Sequence, residues 1–170
     1  FDHNGGYDSL KDKIEIKQVI EGSNQSVHVD YPFYLLLSER ESKDTNDSSL
    51  ISYFTYDHLT YLFMGDASKQ IEKQLMATYD LKADVIKVGH HGSNTSSDPD
   101  FLDSLDCKIA LISCGYKNKY GHPSVETLKT LENLHINTLC TSDCGSIAIY
   151  SLFHFSFVVT NDGMFGIIWT

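Results

Sequence analysis

The chain has 170 residues, of which 41% are hydrophobic and 12% aromatic, enough apolar material for one domain with a buried core. A formal net charge of −10 and the lack of any Lys/Arg-rich run exclude the overall electrostatic footprint of a nucleic-acid-binding domain, and such acidity is typical of a solvated surface. The most apolar stretches, residues 108–114 and 151–160, are far shorter than the ~20 residues of a membrane-spanning helix.

The first third of the chain carries β patterns. Alternation at residues 14–17 predicts a strand, and apolar runs at 27–29 and 34–37 predict two more, the last of them buried. The polar, turn-rich residues 39–48 predict a loop. Residues 49–55 and 59–64 flank a short polar connection and predict a hairpin, which places His58 in its turn, whereas His28 lies in a strand and can face either way.

After this hairpin the apolar period changes to that of helices alternating with strands. A helix is predicted at residues 68–79, and each later helix is opened by a capping signal, Asp98-Pro99 and then His122-Pro123-Ser124. Such an alternation implies right-handed crossovers and a largely parallel sheet. The strands predicted here are 85–88, 109–113 and 137–140, and the tail adds 146–151, 153–160 and 165–169, the last two joined by a tight turn at Asn161-Asp162-Gly163.

Two of these strands end in residue types that bind metals. The run 61–64 closes on Gly65-Asp66, and residues 85–88 lead into Gly89-His90-His91-Gly92-Ser93. Side chains at the ends of neighbouring strands project into the cleft above the sheet edge, and glycine lets the backbone turn sharply there. From these residues alone, the histidine pair could instead be structural or solvated, and Asp66 could cap the helix that follows it.

Other segments of the chain carry further candidate site residues. Asp2 and His3, which precede two glycines, are both of types that bind divalent ions. His122 is predicted on a loop at a helix entrance, where it could donate a proton, hold a phosphate oxygen or serve the helix N-terminus. Ser93 could cap a turn or form hydrogen bonds within its own loop.

The four cysteines leave the redox compartment open. Cys140 and Cys144 are close enough in sequence for a disulfide or a shared metal, but the spacing of the four is not that of a structural zinc site. Cys107 and Cys114 lie beside or within an apolar strand and are predicted to be core thiols.

Taken in order, these motifs resemble a known family. Asp2-His3-x-Gly5-Gly6 is followed by residues 45–51, Gly65-Asp66, residues 89–93, residues 118–123 and residues 141–147. The pattern is similar to that of the metallo-β-lactamase superfamily and, within it, the hydrolase domain of ComEC-type DNA-uptake proteins and its stand-alone relatives. The resemblance implies a single α/β domain over residues 1–170, an αββα sandwich of mixed sheets with outer helices.

One departure from the family pattern changes what is expected. The family's first motif reads His-x-Asp (or His)-x-Asp-His-x-Gly-Gly, and its His-x-Asp half is missing here, which predicts truncation at the N-terminus. A sandwich lacking its first strands would expose sheet edges. We therefore expect a homodimer, strand exchange or a companion N-terminal segment to compensate.

The resemblance also assigns roles to the candidate residues. It implies that Asp66 bridges two metals, and that Asp2, His3 and His91 complete the second site. His90 would touch a substrate oxygen, although the reverse assignment of the two histidines stays open, and His122 and Ser93 would join it as catalytic residues. The family also has an asparagine at the position of Asn46, which makes Asn46 a further candidate, and its usual third metal histidine is not evident here. The mixed ligands suit Zn or Mn, two per intact site and one or none in this chain.

The function implied is that of a metal-dependent hydrolase that uses a metal-activated water. The expected substrate is a phosphodiester, with a nuclease acting in DNA uptake as the leading case and DNA as its partner. Two alternatives remain: hydrolysis of another ester, such as a phosphocholine ester or a lactone, and a catalytically incompetent fragment or binding module. A ComEC-like parent implies the extracytoplasmic face of the membrane, reached through segments not present here, and a stand-alone relative implies the soluble cytoplasm.

Overall fold

The computed structural model describes residues 6–16, 19, 31–37, 45–153 and 155–168, which form an α/β fold. The strands are β1 Phe33–Leu36, β2 Ile51–Tyr56, β3 Leu59–Phe63, β4 Val85–Lys87, β5 Ile109–Ile112, β6 Asn137–Cys140, β7 Ile147–Leu152, β8 Phe155–Thr160 and β9 Phe165–Ile168. The helices are α1 Tyr7–Leu10, α2 Lys69–Thr78, α3 Pro99–Leu105, α4 Val125–Asn133 and α5 Thr141–Cys144, and a 3₁₀ turn covers Gly89–Gly92. Asp2, His3, His28 and the strand predicted at 27–29 lie outside the described residues.

Strands β1 to β6 form one mixed sheet in chain order. The pairs β1–β2 and β2–β3 are antiparallel, which confirms the hairpin predicted around residues 56–58, and β3 to β6 are parallel. Helices α2, α3 and α4 connect the parallel strands, as the alternating pattern predicts. Because the parallel strands all run the same way, the segments that follow β3, β4 and β5 emerge at one edge of the sheet.

The helices begin where their capping residues predict. The Asp98 side chain accepts hydrogen bonds from the backbone N–H groups of Asp100 and Phe101, with Pro99 at the first helical position. In α4 the Ser124 side chain accepts from Thr127 N–H. The helices bury one face against the sheet, through Ile71 and Leu75 of α2, Phe101, Leu102 and Leu105 of α3 and Leu131 of α4.

The central strands are buried on both faces, so alternate side chains enter two different cores. Leu62, Ile86 and Ala110 face the helices, whereas their neighbours Leu59, Tyr61, Val85 and Ile109 face the second sheet. This second sheet is the antiparallel set β7-β8-β9, which contributes Val158 and Ile168 to the shared core. The described part is thus a layer of helices, a mixed sheet and a smaller antiparallel sheet.

The opposite face of the β7-β8-β9 sheet is apolar and exposed. Cross-strand pairing aligns Leu152 with Phe155 and Val159 with Phe165 on this face. Its most exposed side chains, which we call the outer face, are Tyr150, Leu152, Phe155, Phe165 and Ile167. Within the described ranges, no helix has both the length and the apolar character needed to cross a bilayer.

Two strand predictions are wrong in part. Residues 14–16 do not form a strand: they follow the short helix α1, and Ile14 is exposed, so its alternation with Ile16 does not reflect a sheet face. The strand predicted as buried at 34–37 is β1, which lies at the edge of the six-stranded sheet and buries Leu36 alone of its four residues.

The cysteines are all free thiols. Cys140 and Cys144 do not pair; Cys144 Sγ instead donates to the Cys140 carbonyl at 3.1 Å, because both lie within one short turn. Cys140 Sγ lies 3.2 Å from the half-buried Cys114 Sγ, across the ends of β5 and β6. Cys107 is buried in the core, as predicted.

Candidate functional site

The site lies where β3 and β4 end side by side. Gly65 has φ +57, and a Cβ there would lie 2.7 Å from Ser49 Cβ, so only glycine fits this turn. Its carbonyl accepts a hydrogen bond from His90 N–H at 3.1 Å, which ties the two strand ends together. Asp66, 7% exposed, follows directly, and Ser68 rather than Asp66 is the N-cap residue of α2.

The two histidines adopt an uncommon backbone conformation. His90 and His91 have φ of 47° and 55°, both in the left-handed region that side chains other than those of Gly, Asn and Asp rarely occupy. Two such residues in succession make Gly89–Gly92 a left-handed turn, although its hydrogen bonds are of the 3₁₀ type. Left-handed non-glycine residues concentrate at functional sites, where the surrounding structure holds them in place.

His91 is held at Nδ1, and its Nε2 faces Asp66. Its Nδ1 lies 2.7 Å from the Ser113 carbonyl oxygen, and because a carbonyl only accepts, Nδ1 carries the hydrogen. In the tautomer with one ring hydrogen, that hydrogen is on Nδ1 and Nε2 carries the lone pair. Nε2 lies 3.6 Å from Asp66 Oδ1, farther than the donor–acceptor distance of an N–H···O hydrogen bond.

His90 points to a different set of partners. Its Nδ1 lies 3.1 Å from Thr95 Oγ1, which in turn donates to Ser93 Oγ at 3.0 Å. Ser93 is buried, and its hydroxyl also accepts from Thr95 N–H. Ser93 thus forms hydrogen bonds within its own loop, one of the two roles predicted for it, and contacts His90 through Thr95.

His122 completes the group of rings. Its ring centroid lies 5.8 Å from that of His90, and its backbone N–H donates to Asn118 Oδ1. Burial lowers the pKa of the His122 imidazole below its ordinary value, the neighbouring charges of His90 and His91 lower it further, and Asp66 acts in the opposite direction. These effects together favour the neutral form of the His122 ring.

The structure brings together four of the predicted site residues, Asp66, His90, His91 and His122. Asp2 and His3 lie outside the described residues, and Asn46 sits in a turn where its carbonyl accepts from Ser49 N–H. Over the part of the chain that the structure describes, no group of three or more His, Cys, Asp or Glu side chains is arranged to hold a metal ion.

Three contributors to the site have little or no sequence signal. The Ser113 carbonyl is a backbone group, and it is steadied by Thr141, whose hydroxyl bonds both the N–H and the carbonyl of Cys114 next door. Thr95 was not distinguishable from its polar neighbours. Lys87 ends β4 and is half-buried. Burial lowers the pKa of its amine, and the charge of Asp66 opposes that shift. In the sequence, the only sign of Lys87 is a lysine at the end of an apolar strand.

Comparison with known proteins gives three relatives. The chain is 34% identical to ComE operon protein 3 of Bacillus subtilis (strain 168) over 136 residues, and this aligned region is 79% of the chain. It is 34% identical over 121 residues to competence protein ComA of Neisseria gonorrhoeae, covering 70%, and 32% identical over 88 residues to recombination protein 2 of Haemophilus influenzae, covering 52%. The matched parts amount to 17%, 17% and 11% of these relatives' lengths. No protein-family model matches the chain.

Proposed function

We propose that this chain, a homologue of competence proteins, is a metal-dependent phosphodiesterase of the metallo-β-lactamase superfamily that acts on DNA during uptake. The observation that carries the proposal is the pairing of Asp66 with His91 at two adjacent strand ends. The αββα sandwich is proposed with it, and the two facing sheets with helices on one side are its support.

The donor set fits a divalent ion. Two ligands of one tetrahedral ion, each about 2.1 Å from it, lie roughly 3.4 Å apart, close to the 3.6 Å between His91 Nε2 and Asp66 Oδ1. The hydrogen bond from His91 Nδ1 to the Ser113 carbonyl is the kind of contact that orients metal-binding histidines. Asp66 and His91 would hold the ion, with Asp2 and His3 as the further ligands; carboxylate and imidazole suit Zn or Mn.

A bound divalent ion would supply an activated water and stabilise negative charge on a phosphoryl oxygen. The chain's own residues would do the rest. The Thr95 contact occupies His90 Nδ1, so Nε2 is the ring nitrogen of His90 that would face the substrate. His122 keeps a ring N–H in its neutral form, and it can hold a phosphoryl or leaving oxygen through that N–H. Ser93 would act by positioning His90 through Thr95.

Hydrolysis of a simple phosphodiester tests the proposal. We expect the purified chain to cleave bis(p-nitrophenyl) phosphate with added Mn²⁺ or Zn²⁺, and to lose this activity with a chelator or in a His91→Ala variant. Asp103→Asn, an exposed aspartate on α3, is the matched control and should retain it. A phosphocholine ester and a lactone are assayed in parallel.

Each outcome has a definite meaning. Cleavage of the phosphocholine ester or the lactone but not of the phosphodiester would replace the proposed substrate by another ester. Metal binding without hydrolysis of any substrate would make this chain a binding module. Phosphodiester hydrolysis that survives in His91→Ala would contradict the assignment of the site.

A further inference from the structure

A loop beside the site differs in charge from the rest of the chain. Residues 107–125 contain three lysines and no aspartate or glutamate, in a chain whose net charge is −10. Two of these lysines, Lys117 and Lys119, lie in the loop of residues 116–120 between β5 and α4, which we call the YKNKY loop. A polyanion approaching an acidic protein would find its favourable contact at such a local segment.

The YKNKY loop also presents aromatic rings to solvent. Tyr116 is 74% exposed and Tyr120 is 69% exposed. Each is paired with a cation, since Lys117 Nζ lies 5.2 Å from the Tyr116 ring centroid and Lys119 Nζ lies 4.8 Å from that of Tyr120. Alternating aromatic and basic side chains form the surface on which unpaired bases stack while lysines meet the phosphates.

The loop is held in shape by one side chain. Asn118 Nδ2 donates to the Gly115 and His122 carbonyls at 3.0 and 2.6 Å, and Asn118 Oδ1 accepts from Tyr120 and His122 N–H at 3.2 and 3.0 Å. Four hydrogen bonds at one half-buried amide fix the loop before any ligand arrives. A surface fixed in this way loses little conformational entropy on binding.

The exposed rings continue into the candidate site. Tyr120 stacks on His122 with centroids 5.9 Å apart and an interplanar angle of 18°. His122 lies 5.8 Å from His90, and His90 lies 6.4 Å from His91, the neighbour of Asp66. The rings therefore form a continuous series from the solvent-exposed YKNKY loop to the carboxylate.

We propose that the YKNKY loop is a binding platform for single-stranded nucleic acid, with a base stacked on Tyr120 and phosphates on Lys117 and Lys119. This inference rests on the proposed function for its biological meaning, because the platform would feed a strand toward Asp66. A base inside a duplex has no free face to stack, so the geometry favours an unpaired strand over a double helix.

Oligonucleotide binding to the full chain tests this inference. The assay contains a chelator, so that binding is measured without hydrolysis. The probes are a labelled oligodeoxythymidine, a duplex of equal length and an abasic phosphodiester oligomer. We expect the oligodeoxythymidine to bind most tightly, and Tyr120→Ala to weaken it by about 5-fold to 100-fold. Tyr120→Phe should restore the affinity, and the abasic oligomer should bind Tyr120→Ala and the wild type equally.

The lysines have a separate readout. If each meets one phosphate, Lys117→Gln and Lys119→Gln each reduce the slope of log affinity against log salt by about 0.7. Tyr34→Ala and Lys129→Gln, at exposed residues that are not part of the loop, are the matched controls and should bind like the wild type. Circular dichroism of each variant checks that it folds.

Three results would overturn the inference: no binding by the wild type, equal binding of duplex and single strand, or unchanged binding in Tyr120→Ala. Its failure is distinguishable from that of the proposed function. Binding without hydrolysis of a small phosphodiester overturns the proposed function alone, and hydrolysis without oligonucleotide binding overturns the platform alone.

Discussion

Residue-level geometry at the 3₁₀ turn explains why a histidine pair stands between two glycines. The left-handed conformations of His90 and His91 send one ring toward Thr95 and the other toward Asp66 and the Ser113 carbonyl. Gly92 then continues with φ +78, where the chain passes against Pro123. The flanking glycines are required by backbone shape and close approach, and the histidines between them supply the chemistry.

A pair of glycine substitutions separates these two requirements. Gly92 and Gly121 both have positive φ, but a Cβ at Gly92 would lie 2.8 Å from Pro123 Cβ, whereas nothing lies within 4 Å of one at Gly121. We expect Gly121→Ala to lower the free energy of unfolding by about 1 kcal/mol, the strain alone. Gly92→Ala adds overpacking and should lower it by about 2–4 kcal/mol. Urea unfolding measures both, and equal losses would contradict the close-approach account.

The neutral state of His122 is a second prediction at this scale. In metal-free protein, NMR titration of the ring should give a midpoint below the ordinary value of 6.5, because burial and the charges of His90 and His91 disfavour the imidazolium. In His90→Gln one of those charges is removed, so the midpoint should move upward. A midpoint at or above 6.5 in the wild type would show that Asp66 dominates instead.

At the scale of elements, strand ends were the most informative feature of the sequence. Apolar runs that stop at Asp66 and at His90-His91 predicted a site at one sheet edge, and the parallel pairing of β3 with β4 brings them together. The contact between His91 and Ser113 could not be predicted, because a backbone carbonyl 22 residues away leaves no mark in the sequence. The edge position of β1 was missed for a similar reason, since its neighbours depend on the whole sheet.

Glu72 couples helix α2 to the loop of the site. The carboxylate accepts from Ser97 N–H at 2.8 Å and Asp98 N–H at 2.7 Å, so it clamps the end of the loop to the helix. Burial raises the pKa of Glu72 from its ordinary 4.5 to about 7, although these hydrogen bonds act to lower it. Between these values the folded chain binds more protons at Glu72 than the unfolded chain does.

This raised pKa sets the sign of a pH dependence. As the pH falls from above 7 to below 4.5, the contribution of Glu72 to the free energy of unfolding should rise by up to about 3 kcal/mol. The free energy of unfolding of the wild type minus that of Glu72→Gln should therefore be larger at pH 5 than at pH 8. Glu132→Gln, on the exposed face of α4, is the control. A difference that is independent of pH, or larger at pH 8, would contradict this.

For the molecule as a whole, the outer face of the β7-β8-β9 sheet is the surface where large apolar side chains are exposed together. Five large apolar side chains, all at least 49% exposed, lie on one sheet. Contiguous apolar surfaces of this kind promote association. The composition predicted a buried core but could not show which apolar residues stay outside it, because that depends on which faces the sheets turn to each other. That residues 1–170 form one domain stays a prediction.

We expect the chain to self-associate through this outer face. Sedimentation velocity at micromolar concentrations should detect species heavier than a monomer, and Phe165→Ser, a change at a 63% exposed ring, should shift the distribution toward the monomer. Val125→Ser, at a 67% exposed residue on α4, should leave the distribution unchanged. A wild type that is monomeric at every concentration would contradict this prediction.

Metal content tests the central claim most directly. The wild type, Asp66→Asn and the exposed control Asp103→Asn are each dialysed against Mn²⁺ or Zn²⁺ and freed of excess metal. Elemental analysis then gives the number of metal ions per chain. The account predicts about one ion per chain in the wild type and in Asp103→Asn, and loss of the ion in Asp66→Asn. Wild-type protein that retains no metal, or an Asp66→Asn variant that retains as much as the wild type, would contradict a metal centre at Asp66 and His91.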